Sequence, residues 1–157
     1  MRGALYAFTK VLIMRWISLV FFTLAFSANA EFKFCEDFSP YSAKGNDGKE
    51  TKLIIPGSKI FNSIGWKPEL ALEPELSPLT VHRMAIQWAA NNLPKYDAID
   101  ITNISLQKYG CMPPNSQKKY WYYLVEYNPI INGNSMFGSG TWLAVLLSGE
   151  VIAPVRI

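Results

Sequence analysis

The chain contains a single histidine, His82, and a serine or cysteine hydrolase that activates its nucleophile with imidazole would have to use it. Such a site also needs a polar group that orients the imidazole. His82 lies near the start of a predicted helix, and no acidic residue lies within one helical turn of it in sequence. We therefore interpret His82 as a surface residue of that helix and not as a general base.

Metal, phosphate and nucleophile-elbow motifs are incomplete. A zinc site needs three or four nitrogen, sulfur or carboxylate ligands, and one histidine with two cysteines does not readily supply them. Gly138-Ser139-Gly140 lacks the glycine that stands two residues before the serine of a nucleophile elbow, and residues 133–138 lack the lysine of a phosphate loop. The sequence predicts no metal and no cofactor.

Acidic residues offer the remaining acid–base chemistry. Glu69, Glu73 and Glu75 cluster in a proline-rich stretch, and Asp97 lies near Asp100 at the start of a predicted strand. Two-carboxylate hydrolases depend on the separation of their carboxyl groups in space, which these spacings do not specify. We interpret the glutamates as solvated and the aspartates as flanking the strand, and we expect the protein not to be an enzyme.

The first thirty residues have the features of a secretory signal peptide. A basic leader precedes an uncharged apolar run, residues 16–26, and a small-x-small cleavage pattern ends at Ala30. The apolar run is shorter than the roughly 20 residues of a membrane-spanning helix. We therefore expect cleavage after Ala30, no stable membrane anchor afterwards, and a single domain of residues 31–157 that is periplasmic or secreted.

The predicted leader accounts for the whole net charge of +3. Of the 15 lysines and arginines, three lie in the leader, which leaves 12 against the 12 aspartates and glutamates of the remainder. No basic stripe remains in that part of the chain. A nucleic-acid partner is therefore not expected.

Both cysteines, Cys35 and Cys111, lie in the predicted mature chain. An exported chain with an even number of cysteines favours a disulfide between them, and two free thiols are the alternative. A bridge closing so long a loop would stabilise the fold by up to about 4.5 kcal/mol in the chain-entropy model.

One helix and a run of strands are predicted from hydrophobic periodicity. The helix begins at Ser77-Pro78, an N-cap followed by proline, and ends near residues 91–94; its apolar stripe includes Met84 and Trp88. Strands are expected at 51–55, 99–106, 120–127, 141–147 and 151–155, with a bulge near Asn103 and a tight turn at 148–150. Residues 56–78 carry four prolines and predict an irregular segment.

These elements predict an α+β fold in which one main helix packs on an antiparallel sheet of about four strands, with an irregular N-terminal covering segment. From the helix stripe to the closing TWLAVLLSGEVI hairpin, the order of elements resembles that of small exported cystatin-like and PepSY-like domains. The resemblance implies a helix lying across a curved sheet. The motifs by which cystatins inhibit cysteine proteases are not evident, so that activity is not implied.

The predicted sheet is apolar on both faces, and one helix covers only one of them. Tyr120, Tyr122 and Trp142 are expected on the other face, where residues 31–76, a second copy of the chain or a different partner would cover them. Leu53, Ile55 and Ile60 are among the residues available within the chain.

The connection formed by residues 128–140 is long for a hairpin and carries Ile130, Ile131, Met136 and Phe137 among glycine, asparagine and serine. These side chains either fold back onto the sheet or form an apolar tip for a partner. We expect a non-enzymatic protein-binding module (an inhibitor, immunity factor or assembly subunit) that uses this loop and the tyrosine face. The alternative is a binder of apolar small molecules or lipids with a pocket at Tyr120, Tyr122 and Trp142.

Overall fold

The computed structural model describes residues 37–45, 47–71, 73–111, 118–136 and 141–157. All of them belong to one compact unit, Cys35–Ile157. The predicted signal peptide, residues 1–30, lies outside the described ranges.

Eight strands and two helices follow one another in the described ranges. The helices are α1 (Gly57–Phe61) and α2 (Pro78–Asn92). The strands are β1 (Asp37–Lys44), β2 (Glu50–Pro56), β3 (Ala98–Lys108), β4 (Trp121–Ile131), β5 (Asn134–Ser135), β6 (Thr141–Leu146), β7 (Val151–Ile152) and β8 (Val155–Arg156).

The strands form two antiparallel sheets, so the predicted fold class is wrong. A small sheet has the order β1-β2-β8, and a large sheet has the order β3-β4-β6-β7 with β5 paired to β4. In the described part of the chain only α2 exceeds one or two turns. The architecture is therefore two sheets with one substantial helix, and not one helix on a four-stranded sheet with an irregular cover.

Strand β1 was not predicted, because its residues Ser39-Pro40 are typical of a turn. The register of β1 on β2 shifts between Phe38 and Tyr41, so the proline falls in an irregular step of the ladder. β1 is also an edge strand, where a residue without an N–H group is tolerated. Two residues that predict a turn are thus accommodated inside a strand.

Helix α2 confirms the predicted helix. Ser77 caps it, since the Ser77 side chain accepts a hydrogen bond from the Thr80 N–H at 3.2 Å, and Pro78 occupies the first turn. The buried residues Val81, Ala85 and Ala89 form its inner face. They pack on the large sheet in a cluster that also includes the half-buried Met84 and Trp88.

The predicted bulge in β3 is confirmed. The register of β3 on β4 shifts between Ile101 and Asn103. The extra residue brings Ile101 and Ile104 to the helix side of the sheet, although strict alternation from Ile101 would not do so.

Strand β4 builds a core on each of its faces. Tyr123 and Val125 pack towards α2, whereas Tyr122 and Leu124 pack towards the small sheet. The covering layer on the second face comes from β1, β2 and α1, within the range 31–76, which is the first of the three covers that the sequence left open. Its buried members are Leu53, Ile55 and Ile60.

The chain crosses from one sheet to the other near its last residues. β7 pairs with β6 in the large sheet, and after Ala153-Pro154 the chain continues as β8, which pairs with β2 in the small sheet. Lys52 lies opposite Val155 in this ladder. The two layers are therefore joined by a short covalent link as well as by packing.

Candidate functional site

Tyr120 and Tyr122, two of the predicted partner-binding residues, lie in the core between the two sheets. Their exposed fractions are 7% and 2%. The Phe61 ring packs edge-on against Tyr120 with ring centroids 5.3 Å apart. Trp142 is half-buried, and its ring packs against the Tyr41 ring with centroids 5.7 Å apart. The tyrosines thus have almost no surface left for a partner or ligand.

The buried phenols are not poised for acid–base chemistry at neutral pH. Burial raises the pKa of Tyr122 well above its usual range, and the neighbouring Tyr41 and Tyr109 add to the effect. Burial likewise raises the pKa of Tyr127 to about 12, with a smaller contribution from Tyr96. These side chains remain neutral core residues.

The connection after β4 begins with a tight turn, whereas the sequence predicts one long connection over residues 128–140. β4 continues to Ile131, and Asn132 and Gly133 form a two-residue turn with φ values of 51° and 76°. Positive φ at both central residues is typical of a type I′ turn, for which Asn-Gly is the preferred sequence. The Asn132-Gly133 dipeptide by itself indicates such a turn. The glycine, asparagine and serine residues around it are also typical of a long loop, so the turn was not predicted.

Two aspartates hold this turn in place. The Gly133 N–H donates a hydrogen bond to Asp97 Oδ2 at 3.1 Å, and the Ser135 hydroxyl donates to Asp100 Oδ2 at 3.3 Å. The Met136 N–H donates to the Pro129 carbonyl at 2.8 Å. The carboxylates that were expected only to flank a strand thus fix the hairpin against β3.

The fixed hairpin carries apolar side chains that are partly open to solvent. Met136 is 48% exposed, and Ile130 and Ile131 are half-buried. We call Ile130, Ile131 and Met136 the hairpin surface. Phe137, the fourth residue predicted for this surface, lies outside the described residues.

A cleft of about 410 Å³ lies at the opposite end of β4. We call it the Trp66 cleft. Its apolar lining comes from Ile64, Trp66, Leu70 and Leu147, and its charged lining comes from Lys67, Glu73, Glu75, Lys118 and Lys119. The sequence does not predict this site, because the four prolines of residues 56–78 indicate only an irregular cover. A tryptophan among prolines was the one available signal.

Hydrogen bonds fold residues 66–71 into a compact wall of the cleft. The Trp66 indole N–H donates to the Ala71 carbonyl, and the Trp121 indole N–H donates to the Trp66 carbonyl, each at 3.1 Å. The two indole rings pack edge-on with centroids 5.2 Å apart. An ion pair between Lys119 and Glu69 ties the same wall to the segment before β4.

His82, the histidine considered for catalysis, is exposed on α2. Within the described ranges, no group of three or more histidine, cysteine, aspartate or glutamate side chains is placed to hold a metal ion. Cys111 is disulfide-bonded and packs against the core between the sheets. Its predicted partner, Cys35, lies outside the described ranges.

No protein family, curated protein or solved structure matches this chain. The resemblance to cystatin-like and PepSY-like domains therefore stays a prediction. None of the helices in the described ranges combines the length and apolar character that crossing a membrane requires.

Proposed function

We propose that this chain is an exported, non-enzymatic protein that binds another protein through the hairpin surface. The observation that carries the proposal is the tethered Asn132-Gly133 turn, whose hairpin carries the half-exposed Met136 and the half-buried Ile130 and Ile131. A preformed turn loses little conformational freedom on binding, so the burial of its apolar side chains contributes more fully to affinity. An inhibitor, an immunity factor and an assembly subunit all fit this mode of action.

Export is supported by the leader-like composition of residues 1–30. The proposal uses the hairpin and not the tyrosine face, because Tyr120 and Tyr122 pack against α1 and the small sheet. The same packing disfavours the alternative of an apolar-ligand pocket at those tyrosines.

A binding experiment with surface variants tests this proposal. Tagged protein comprising residues 31–157 is incubated with the exported proteins of its source, and any stoichiometric partner is purified and titrated by calorimetry. Met136→Ala is expected to weaken binding by about 1–2 kcal/mol, since a central apolar anchor contributes on that scale, and Ile131→Ala is expected to weaken it as well.

Leu79→Ala is the matched control, because Leu79 is 62% exposed on α2 and lies outside the hairpin surface. Thermal unfolding of each variant shows whether the fold is retained. Equal affinity of Met136→Ala, Ile131→Ala and the control would show that the hairpin is not the binding surface. A complex whose only component is this chain would identify a homodimer instead.

A further inference from the structure

Strand β3 leaves one of its two edges without a pairing strand. It ends the large sheet and pairs with β4 on one side only, and no second strand pairs with it in the ranges that the structure describes. With 11 residues it is the longest edge strand among them. An open edge presents a row of backbone N–H and C=O groups with which another extended chain can pair.

The other described edge strands carry features that oppose such pairing. β1 contains Pro40 and an irregular register, and β5, β7 and β8 have only two residues each. In β3 the bulge ends before Asn103, and residues 103–108 then contain no proline and a single charge, at Lys108. Residues 103–108 are therefore the stretch at which pairing with another strand is least hindered.

The pairing of β3 with β4 fixes which backbone groups point to the open edge. The Tyr109 N–H donates to the Tyr120 carbonyl at 2.9 Å, so the backbone groups of Tyr109 point to β4. Successive residues of a strand direct these groups to alternate sides. Ser105, four residues before Tyr109, therefore also points its groups to β4, whereas Ile104 and Leu106 point theirs to the open edge.

The residue order of this stretch is complementary to its own reverse. When a second copy is laid antiparallel to β3 about Ser105, each Ile104 lies opposite the other copy's Leu106. Both side chains are half-buried on the helix side of the sheet, so the second copy would cover their remaining surface. On the other side of the sheet, Asn103 lies opposite Gln107. Apolar side chains thus oppose apolar ones, and amide side chains oppose amides.

The same arrangement keeps like charges apart. Lys108 lies opposite Thr102 and not opposite a second lysine. The outward-pointing backbone groups of Ile104 also lie opposite those of Leu106, as a hydrogen-bonded pair of residues requires. The backbone and the side chains therefore favour the same register.

We propose that two copies of this chain pair antiparallel along residues 103–107 of β3, with a two-fold axis at Ser105, and so join their large sheets into one continuous sheet. About four backbone hydrogen bonds and two contacts between Ile104 and Leu106 hold the copies together. A two-fold contact requires a surface that is complementary to itself, and the residue order around Ser105 meets this requirement. A segment of another protein would not require it.

This surface is separate from the hairpin surface. The hairpin is bonded to Asp97 and Asp100, which lie on the other side of the bulge from Ser105. Substitutions at Ser105 therefore leave those bonds in place. The proposed binding through the hairpin and the proposed pairing of β3 can fail independently.

Sedimentation velocity measures the association of the purified protein between about 1 µM and 300 µM, a range that suits a small interface. We expect the fraction of dimer to rise with concentration. Ser105→Arg and Ser105→Glu each place like charges opposite one another at the axis, so each is expected to weaken dimerisation at least about fivefold. An equimolar mixture of the two variants is expected to recover it as a heterodimer, because the facing charges are then opposite.

Ser42→Arg is the matched control. Ser42 is exposed on β1, an edge strand of the small sheet, so the same change there is expected to leave dimerisation unchanged. Thermal unfolding shows whether each variant retains the fold.

A disulfide tests the register. The two copies of Ser105 form a non-hydrogen-bonded pair with Cα atoms about 4.5 Å apart, within the range that a disulfide spans. Ser105→Cys is therefore expected to give a covalent dimer under mild oxidation, seen on a non-reducing gel. Gln107→Cys is the control, because its two copies would lie four residues apart along the strands, about 13 Å, which is too far for a bridge.

Three results would each overturn the proposal. They are a monomer over the whole concentration range, dimerisation of Ser105→Arg as strong as that of the wild type, and a covalent dimer of Gln107→Cys that forms as readily as that of Ser105→Cys.

Discussion

Tyr123 and Tyr127 lie on the same face of β4 and are equally buried, yet their hydroxyl groups differ. The Tyr123 hydroxyl donates to the Leu76 carbonyl at 2.8 Å, which joins the segment before α2 to the sheet. No such bond from Tyr127 is found in the described residues. The exposed fractions are 3% and 5%, so burial does not distinguish the two.

This difference predicts unequal effects of the same substitution. Tyr123→Phe is expected to lower the free energy of unfolding by about 1 kcal/mol, because it leaves the Leu76 carbonyl without its partner. Tyr127→Phe is expected to change it by less than about 0.5 kcal/mol at neutral pH. Urea denaturation of both variants measures the difference. Equal losses would show that the hydrogen bond makes no net contribution.

Strand β8 is held on β2 by more contacts than its two ladder pairs. Besides the ladder at Thr51 and Lys52, the Glu50 N–H donates to the Ile157 carbonyl at 3.2 Å, and the Ile157 N–H donates to the Glu50 carbonyl at 2.7 Å. Arg156 also forms an ion pair with Asp47. Residues 155–157 thus complete one edge of the small sheet.

Truncation after Pro154 is expected to lower the free energy of unfolding by about 1–3 kcal/mol, because several backbone hydrogen bonds are lost. The Glu50 amide should then exchange its hydrogen faster. Arg156→Ala is the control, since it removes only an exposed ion pair worth at most about 1 kcal/mol. Unchanged protection of the Glu50 amide in the truncated chain would contradict the assigned pairing.

The elements that were predicted correctly depend on residues that lie close together in the sequence. The cap at Ser77, the stripe of α2, the bulge before Asn103 and the β6–β7 turn all follow from neighbouring residues. The small sheet was not predicted. Its third strand, β8, pairs with β2, which is far from it in the sequence, and β1 contains Pro40, a residue that is unusual in strands. The Trp66 cleft was missed for a similar reason: its walls come from segments that are distant in sequence.

At the scale of the whole molecule, the large sheet is covered on both faces. Helix α2 covers one face, and the small sheet with α1 covers the other. The apolar strand β4, with Tyr122, Tyr123 and Tyr127 along it, is therefore a core element. The hairpin surface and the Trp66 cleft lie at its two ends.

The buried tyrosines predict how stability depends on alkaline pH. Burial raises the pKa values of Tyr122, Tyr123 and Tyr127, the last to about 12, whereas an unfolded tyrosine titrates near about 10. The folded state therefore holds these protons more tightly. The resulting stabilisation is complete below about pH 10 and is lost as the pH rises towards about 12.

For Tyr127 alone the loss amounts to at most about 2–3 kcal/mol. Urea denaturation at several values between about pH 9 and pH 12 measures it. Tyr127→Phe removes one of the titrating groups, so its stability should fall less steeply than that of the wild type. Parallel curves for the two proteins would show that Tyr127 does not contribute.

The crossing at Ala153-Pro154 also has a consequence for the order of folding. Strand β2 is made well before its partner β8, so Lys52 meets Val155 only when the whole segment between them is available. Until then the small sheet has an unpaired edge at β2. Contacts between residues so distant in sequence slow folding, so completion of the small sheet is expected to be a late event that follows formation of the local β6–β7 turn.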